Sequence, residues 1–306
     1  MAVHGHAGDS FPRTGIGWAI GFRNPLVRLE YLGWRRRPWR NGLLAIGFLA
    51  LIGFVFMARH GTPSNPGYGN FLRFFVPANP FATPRAQFWL GYWGTIAMNF
   101  EAGVLRLTTI LPWLLVLRSV WRIRRGRLWE PLRLSALTSR DWVAGLAGPP
   151  VVLGTLALAI FLVAVVWPSF LFRYPDLPGM TGNPYRTAVI AAIPFIGFEG
   201  CWNGFLVAAL TLREALRTRR LAMLVMRSLG WILALQLVHA FAMYYLHRLL
   251  PGMGLRWPMG LYTFLIYAIP LSILGTVKAV GGIILFKVIA RRLHGYMQRE
   301  IEDAAH

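Results

Sequence analysis

The sequence is poor in cysteine and in acidic side chains. Cys201 is the single cysteine among 306 residues, which excludes an intrachain disulfide and a cysteine-based zinc site. Eleven Asp and Glu stand against 32 Lys and Arg, and charged residues of both signs make up only 14% of the chain. A soluble domain of ordinary composition carries about a quarter. No G-x-x-x-x-G-K-[ST] loop and no H-E-x-x-H pair occurs, so neither a phosphate cradle of that kind nor that zinc-protease chemistry is available. What is abundant is apolar: 56% of residues are hydrophobic, and the mean hydropathy is +0.50. Several runs approach the ~20 apolar residues that a bilayer crossing needs, which places the chain in the membrane class.

A hydropathy window of about 19 residues predicts an all-α polytopic protein with six spans, at 42–58, 88–117, 142–167, 187–212, 221–246 and 260–288. No repeat or low-complexity tract divides it, so residues 1–306 read as one membrane domain. Kinks at Pro112, Pro194 and Pro270, or tilting, would absorb the excess length. Seven arginines precede the first greasy run, which no small-residue cleavage site follows; it reads as a retained span and not a secretory signal.

The distribution of basic residues gives an orientation. Residues 1–41, 118–141, 213–220 and the tail from Lys287 hold 22 of the 32 Lys and Arg. The alternate loops hold seven: Arg59, Arg73, Arg85, Arg173, Arg186, Arg248 and Arg256. Positive charge marks the cytoplasmic side, so both termini and two connecting segments are expected there. The same bias accounts for the net charge of +21 without nucleic acid.

Two basic segments carry further signals. In "FRNPLVRLEYLGWRRRPWRNGLL", Asn24 can cap a helix that Pro25 opens. Leu26, Val27, Leu29, Tyr31 and Leu32 offer an apolar face, while Arg28, Arg35, Arg36 and Arg37 can reach lipid headgroups. This predicts an amphipathic amino-terminal helix lying along the inner surface; a plain positive-inside anchor is the other reading. In "RIRRGRLWEPLRLSALTSRDWVAGL", Pro131 can open a short helix with Leu132, Leu134 and Leu137 apolar and Arg133 and Arg140 basic. Thr138, Ser139, Arg140 and Asp141 read as a capping box with Asp in the place of Glu, starting the third span at Trp142. A simple basic inner loop is the alternative.

These two stretches resemble the ABC-2-type transporter permeases. "NPLVRLEYLGWRRRPWR" is similar to that family's elbow helix. "WEPLRLSALTSRDWVAGL" is similar to its cytoplasmic segment after the second span, at Leu134, Leu137, Thr138, Ser139, Arg140, Asp141 and Gly145. Ser139 and Leu146 stand where the family often has Pro and Lys. The resemblance implies the membrane subunit of an ATP-driven transporter, with a lean to export, in a bacterial cytoplasmic (inner) membrane. It implies a second permease, itself or a paralogue, and a separate ATPase that carries ATP and Mg; this chain would bind no cofactor and no metal. Pro131, Leu132, Arg133, Leu134, Leu137, Thr138 and Ser139 would be the coupling helix seated in the ATPase.

Ionisable residues inside spans are functional candidates by default. Here they are Glu101, Arg106, Glu199, His239 and Lys278, with Asn203, Cys201 and Gln236 as polar neighbours and Arg227 near the inner end of its span, where it can snorkel. Three roles stay open: pairing between helices, a polar substrate path, or a proton relay. Rival classes find less support. A haem subunit needs axial ligands, and His239 has no second histidine in another span. An intramembrane protease needs paired Asp or a Ser–His pair, and no Asp falls within a span. A non-catalytic scaffold of a larger complex would use the same features. Gly200 and Gly204 form a G-x-x-x-G, and Gly145 and Gly148 add small residues; both allow close helix packing.

Overall fold

The structure, a computed structural model, describes residues 24, 26–27, 84–125, 138–163, 184–218, 220–252 and 259–302. Five helices fill it: α1 (Pro84–Arg125), α2 (Ser139–Phe161), α3 (Pro184–Arg217), α4 (Leu221–Gly252) and α5 (Met259–Glu302). No strand occurs among the described residues. All five helices contain a stretch long and apolar enough to cross a membrane, and these stretches run through Gly103–Arg125, Ser139–Phe161, Thr187–Arg217, Leu221–Leu246 and Phe264–Leu293. The expected first span at 42–58 lies outside the described residues.

Helix type and order follow the hydropathy pattern; helix ends do not. The second span was expected to stop at Leu117, yet α1 runs on through Arg118, Arg122 and Arg124 to Arg125. The sixth was expected to stop at Val288, yet α5 continues to Glu302. Residues 289–302 are therefore helix and not an irregular tail. Hydropathy registers only the part of a helix that matches the bilayer, whereas Arg, Lys, Gln and Glu are good helix formers outside it. Pro112, Pro194 and Pro270 all sit within continuous helices, as do Pro149 and Pro150 in α2. Each proline withholds one amide donor, so the carbonyl four residues earlier loses its helical partner.

The start of α2 obeys its sequence signal. Thr138 is extended, with φ −73° and ψ 158°. The Asp141 amide donates to Thr138 Oγ1 (3.3 Å), and the Thr138 amide donates to Asp141 Oδ2 (2.9 Å). Two amides that the helix cannot satisfy are thereby paired. Asn24 docks on this same turn. It is fully buried, and its Nδ2 donates to the Asp141 carbonyl at 2.9 Å. Its Oδ1 accepts from the Leu26 amide at 3.0 Å, the bond expected of a helix cap. Gly145 makes the approach possible, because a Cβ there would lie 2.6 Å from Leu26 Cβ.

α3 is the central helix and packs against α5, α1 and α2. Its G-x-x-x-G faces α1: a Cβ on Gly200 would lie 2.5 Å from Val104 Cγ1, and one on Gly204 would meet Thr108 and Pro112. An apolar core sits where the arginines gather. It joins Val116, Val120 and Ile123 of α1, Trp142 and Leu146 of α2, Leu212 and Leu216 of α3, Leu224 of α4, and Ile289 and Leu293 of α5, with Leu26 beside them. Arg124 closes this end: its guanidinium donates to the Thr218 carbonyl at 2.7 Å and to the Ala215 carbonyl. A cation on the last carbonyls of α3 also complements the negative end of its dipole. α4 is attached differently. Only 17% of its most apolar window is buried, against 39–56% for the other four helices.

Candidate functional site

Four helices each send one ionisable side chain to a single point inside the bundle. They are Glu101 of α1, Glu199 of α3, His239 of α4 and Lys278 of α5, with exposures of 6%, 0%, 6% and 4%. Glu199, His239 and Lys278 lie within the apolar stretches of their helices, and Glu101 lies two residues before that of α1. His239 Nε2 is 2.8 Å from Glu101 Oε1. His239 Nδ1 is 3.2 Å from Lys278 Nζ and 3.6 Å from Glu199 Oε1. The Lys278 ammonium also donates to Glu199 Oε1.

The tautomer follows from these contacts. A lysine ammonium can only donate, so His239 Nδ1 accepts from Lys278. Nε2 then carries the hydrogen and donates to Glu101. Both ring nitrogens are engaged, which leaves neither for a haem iron. The carboxylates contribute two negative charges and Lys278 one positive charge. With a neutral imidazole the quartet carries a net charge of −1.

A neutral polar layer follows one turn closer to the arginine-rich end. Asn203, four residues after Glu199, donates through Nδ2 to Thr108 Oγ1 (3.1 Å) and Thr109 Oγ1 (3.0 Å). Gln236, three residues before His239, donates to Thr109 Oγ1 at 3.1 Å. One step further, the Trp113 indole donates to Ser228 Oγ at 2.9 Å. Glu199 Oε2 and Asn203 Oδ1 are both buried and receive no hydrogen bond among the described residues.

The expected intramembrane set therefore divides. Glu101, Glu199, His239 and Lys278 meet, and Asn203 lies in the adjoining layer. Arg106 does not join them. It is exposed, on the side of α1 away from Glu101, and no acid pairs with it among the described residues. Five residues advance a helix by about 500°, which turns the side chain well off the first face. Thr138 caps α2 and Ser139 opens it, at the arginine-rich end of the bundle. Pro131, Leu132, Arg133, Leu134 and Leu137 lie outside the described residues, as do Pro25, Arg28, Arg35, Arg36 and Arg37.

Sequence reasoning passed over Thr108, Thr109, Trp113 and Ser228. The signal was present for the threonines: they stand seven and eight residues after Glu101, two helical turns along the same face. Among the described residues no group of three His, Cys, Asp or Glu side chains is placed to hold a metal ion. No known protein family, curated protein or solved structure matches the chain.

Proposed function

We propose that this chain is the permease subunit of an ATP-driven transporter of the ABC-2 type, an exporter, with six spans and an amino-terminal elbow helix. A separate ATPase engages the segment around 122–141 on the cytoplasmic side, where both termini also lie, and a second permease completes the path. The observation that carries this reading is the contact between the two stretches on which the resemblance rests. Asn24, from the first, donates to the Asp141 carbonyl in the second, 117 residues away. Leu26 lies directly over Gly145. Asn24 and Leu26, held against the turn that follows the proposed coupling segment, would pass on a push at that segment. The apolar core that joins all five helices at the same end gives such a push a packed unit to act upon.

The test begins with purification of the native complex in mild detergent. A companion with a phosphate-binding loop is expected; its consistent absence would end the proposal and favour a scaffold subunit. With the complex in hand, Arg133→Glu or Leu137→Asp is expected to leave helix content unchanged while separating ATP hydrolysis from transport in liposomes. Unchanged coupling in both variants counts against the assigned segment.

A further inference from the structure

Glu199 of the quartet and Asn203 of the adjoining layer each keep one oxygen without a donor among the described residues. Glu199 Oε2 and Asn203 Oδ1 are one turn apart on α3, so their Cβ atoms lie about 5–6 Å from each other. Both are buried, on side chains with 0% exposure, and both are acceptors facing no hydrogen. Buried oxygens are seldom left this way. One added hydrogen would satisfy the pair: an O–H on Glu199 Oε2 donates to Asn203 Oδ1.

The charge count points the same way. The quartet carries −1 when His239 is neutral, and an uncompensated charge within an apolar bundle is costly. One proton brings it to zero. Three groups could receive it. On His239 Nδ1 the new N–H would face the Lys278 ammonium 3.2 Å away, donor against donor, with the Glu199 Oε1 acceptor farther off at 3.6 Å. On Glu101 it would leave both orphan oxygens of α3 as they are. On Glu199 Oε2 it would point an O–H along the face of α3 that also carries Asn203 one turn on, giving each orphan a partner, and Oε1 stays free to accept from Lys278.

We propose that Glu199 and Asn203 form a proton-binding site within the membrane bundle, in which a proton from water is taken onto Glu199 Oε2 and held against Asn203 Oδ1. The bond formed is O–H, and the proton returns to water on release; no electron moves. The groups that face Glu199 from the packed helices are Glu101 of α1, His239 of α4 and Lys278 of α5. Cys201 is half-buried nearby on α3, and the ionisable side chains of α2 are Arg140 and Asp141, both in its first turn. Two features favour a proton over a larger ligand. Lys278 already occupies the cation position beside Glu199 Oε1. The four side chains are at most 6% exposed, so a substrate has no direct access, whereas a proton needs only a hydrogen-bonded route. The proposal rests on the bundle alone and not on the ATPase reading.

Infrared difference spectroscopy on the full chain in lipid nanodiscs tests it, with pH stepped between about 4 and 9 to span the carboxyl and imidazole range. Subtracting spectra of variants isolates one carboxyl from the remaining acids. A protonated-carboxyl carbonyl band is expected in the wild type. It should vanish in Glu199→Gln, persist in Glu101→Gln, and shift in Asn203→Leu, where the acceptor is gone. A band that persists in Glu199→Gln, or is lost in Glu101→Gln, overturns the assignment. Far-UV helix content reports folding. Should Glu199→Gln not fold, Asn203→Leu decides by itself, and an unmoved band there sinks the proposal. These readouts need no ATPase, so failure of the transporter reading leaves them standing.

Discussion

Lys278→Met removes the donor that reaches Glu199. After the change Glu199 Oε1 loses its hydrogen bond, and Oε2 has none to begin with. His239 Nδ1 at 3.6 Å is too far to replace it. A carboxylate with 0% exposure is then left without a partner, and breaking one side of such a buried pair costs about 3–5 kcal/mol. The double variant Lys278→Met with Glu199→Leu removes both charges and is expected to recover most of that loss, since apolar replacement of a whole buried pair is often neutral. The assay is reversible unfolding in mixed detergent micelles, titrated with a denaturing detergent and followed by far-UV circular dichroism. The loss in the single variant should shrink in acid, by up to about 1.36 kcal/mol per pH unit. The sign follows because a proton on Glu199 removes the charge that Lys278 no longer offsets. A single variant within about 1 kcal/mol of wild type, or a double variant no better than the single, would show that the pair does not hold the bundle.

Gly145→Val should cost about 1–3 kcal/mol, because its Cβ alone meets Leu26 Cβ at 2.6 Å. Adding Leu26→Ala should return part of the loss, measured as Tm in detergent; no rescue would deny the contact. Thr138→Ala should cost about 0.5–2 kcal/mol through loss of the cap on α2, and Thr138→Ser should not. Equal Tm values for the two variants would contradict the capping box.

Much of the architecture was legible because lipid imposes it. Within a bilayer every backbone group must be paired inside the segment, so an apolar run of sufficient length has one outcome. The same reasoning found the four ionisable residues of the site, since each stood out against an apolar helix. Their meeting was not legible. Glu101, Glu199, His239 and Lys278 are separated by 39 to 138 residues where they bond, and no local pattern encodes which helix faces which. Arg106 is a candidate by the same rule, yet its helical phase turns it away from Glu101 and it is exposed. The helix ends of α1 and α5 were missed because hydropathy measures the match to lipid and not the backbone's preference. Thr108 and Thr109 escaped because a hydroxyl raises no alarm in a membrane helix, where it can bond its own backbone. Thr108 Oγ1 does so, to the Val104 carbonyl at 2.8 Å, and accepts from Asn203 as well.

The bundle uses two kinds of adhesion, and the difference bears on which part can move. Apolar contact gives little net attraction between helices in lipid, because acyl chains are as apolar as leucine; close packing and hydrogen bonds decide instead. α3 and α5 rely on close packing: a Cβ on Gly275 or Gly282 would lie 2.6 Å from the Phe198 or Phe205 ring. α4 has little of this. Between Ser228 and His239 it is tied by the bonds of Ser228 to Trp113, Gln236 to Thr109, and His239 to Glu101 and Lys278. Interhelical hydrogen bonds in membranes average about 0.6 kcal/mol each, so the whole set is worth a few kcal/mol. That is comparable to the free energy of one protonation step at a buried acid. α4 is the helix whose attachment a proton at Glu199 would alter, since its tie at His239 passes through Lys278 to that carboxyl.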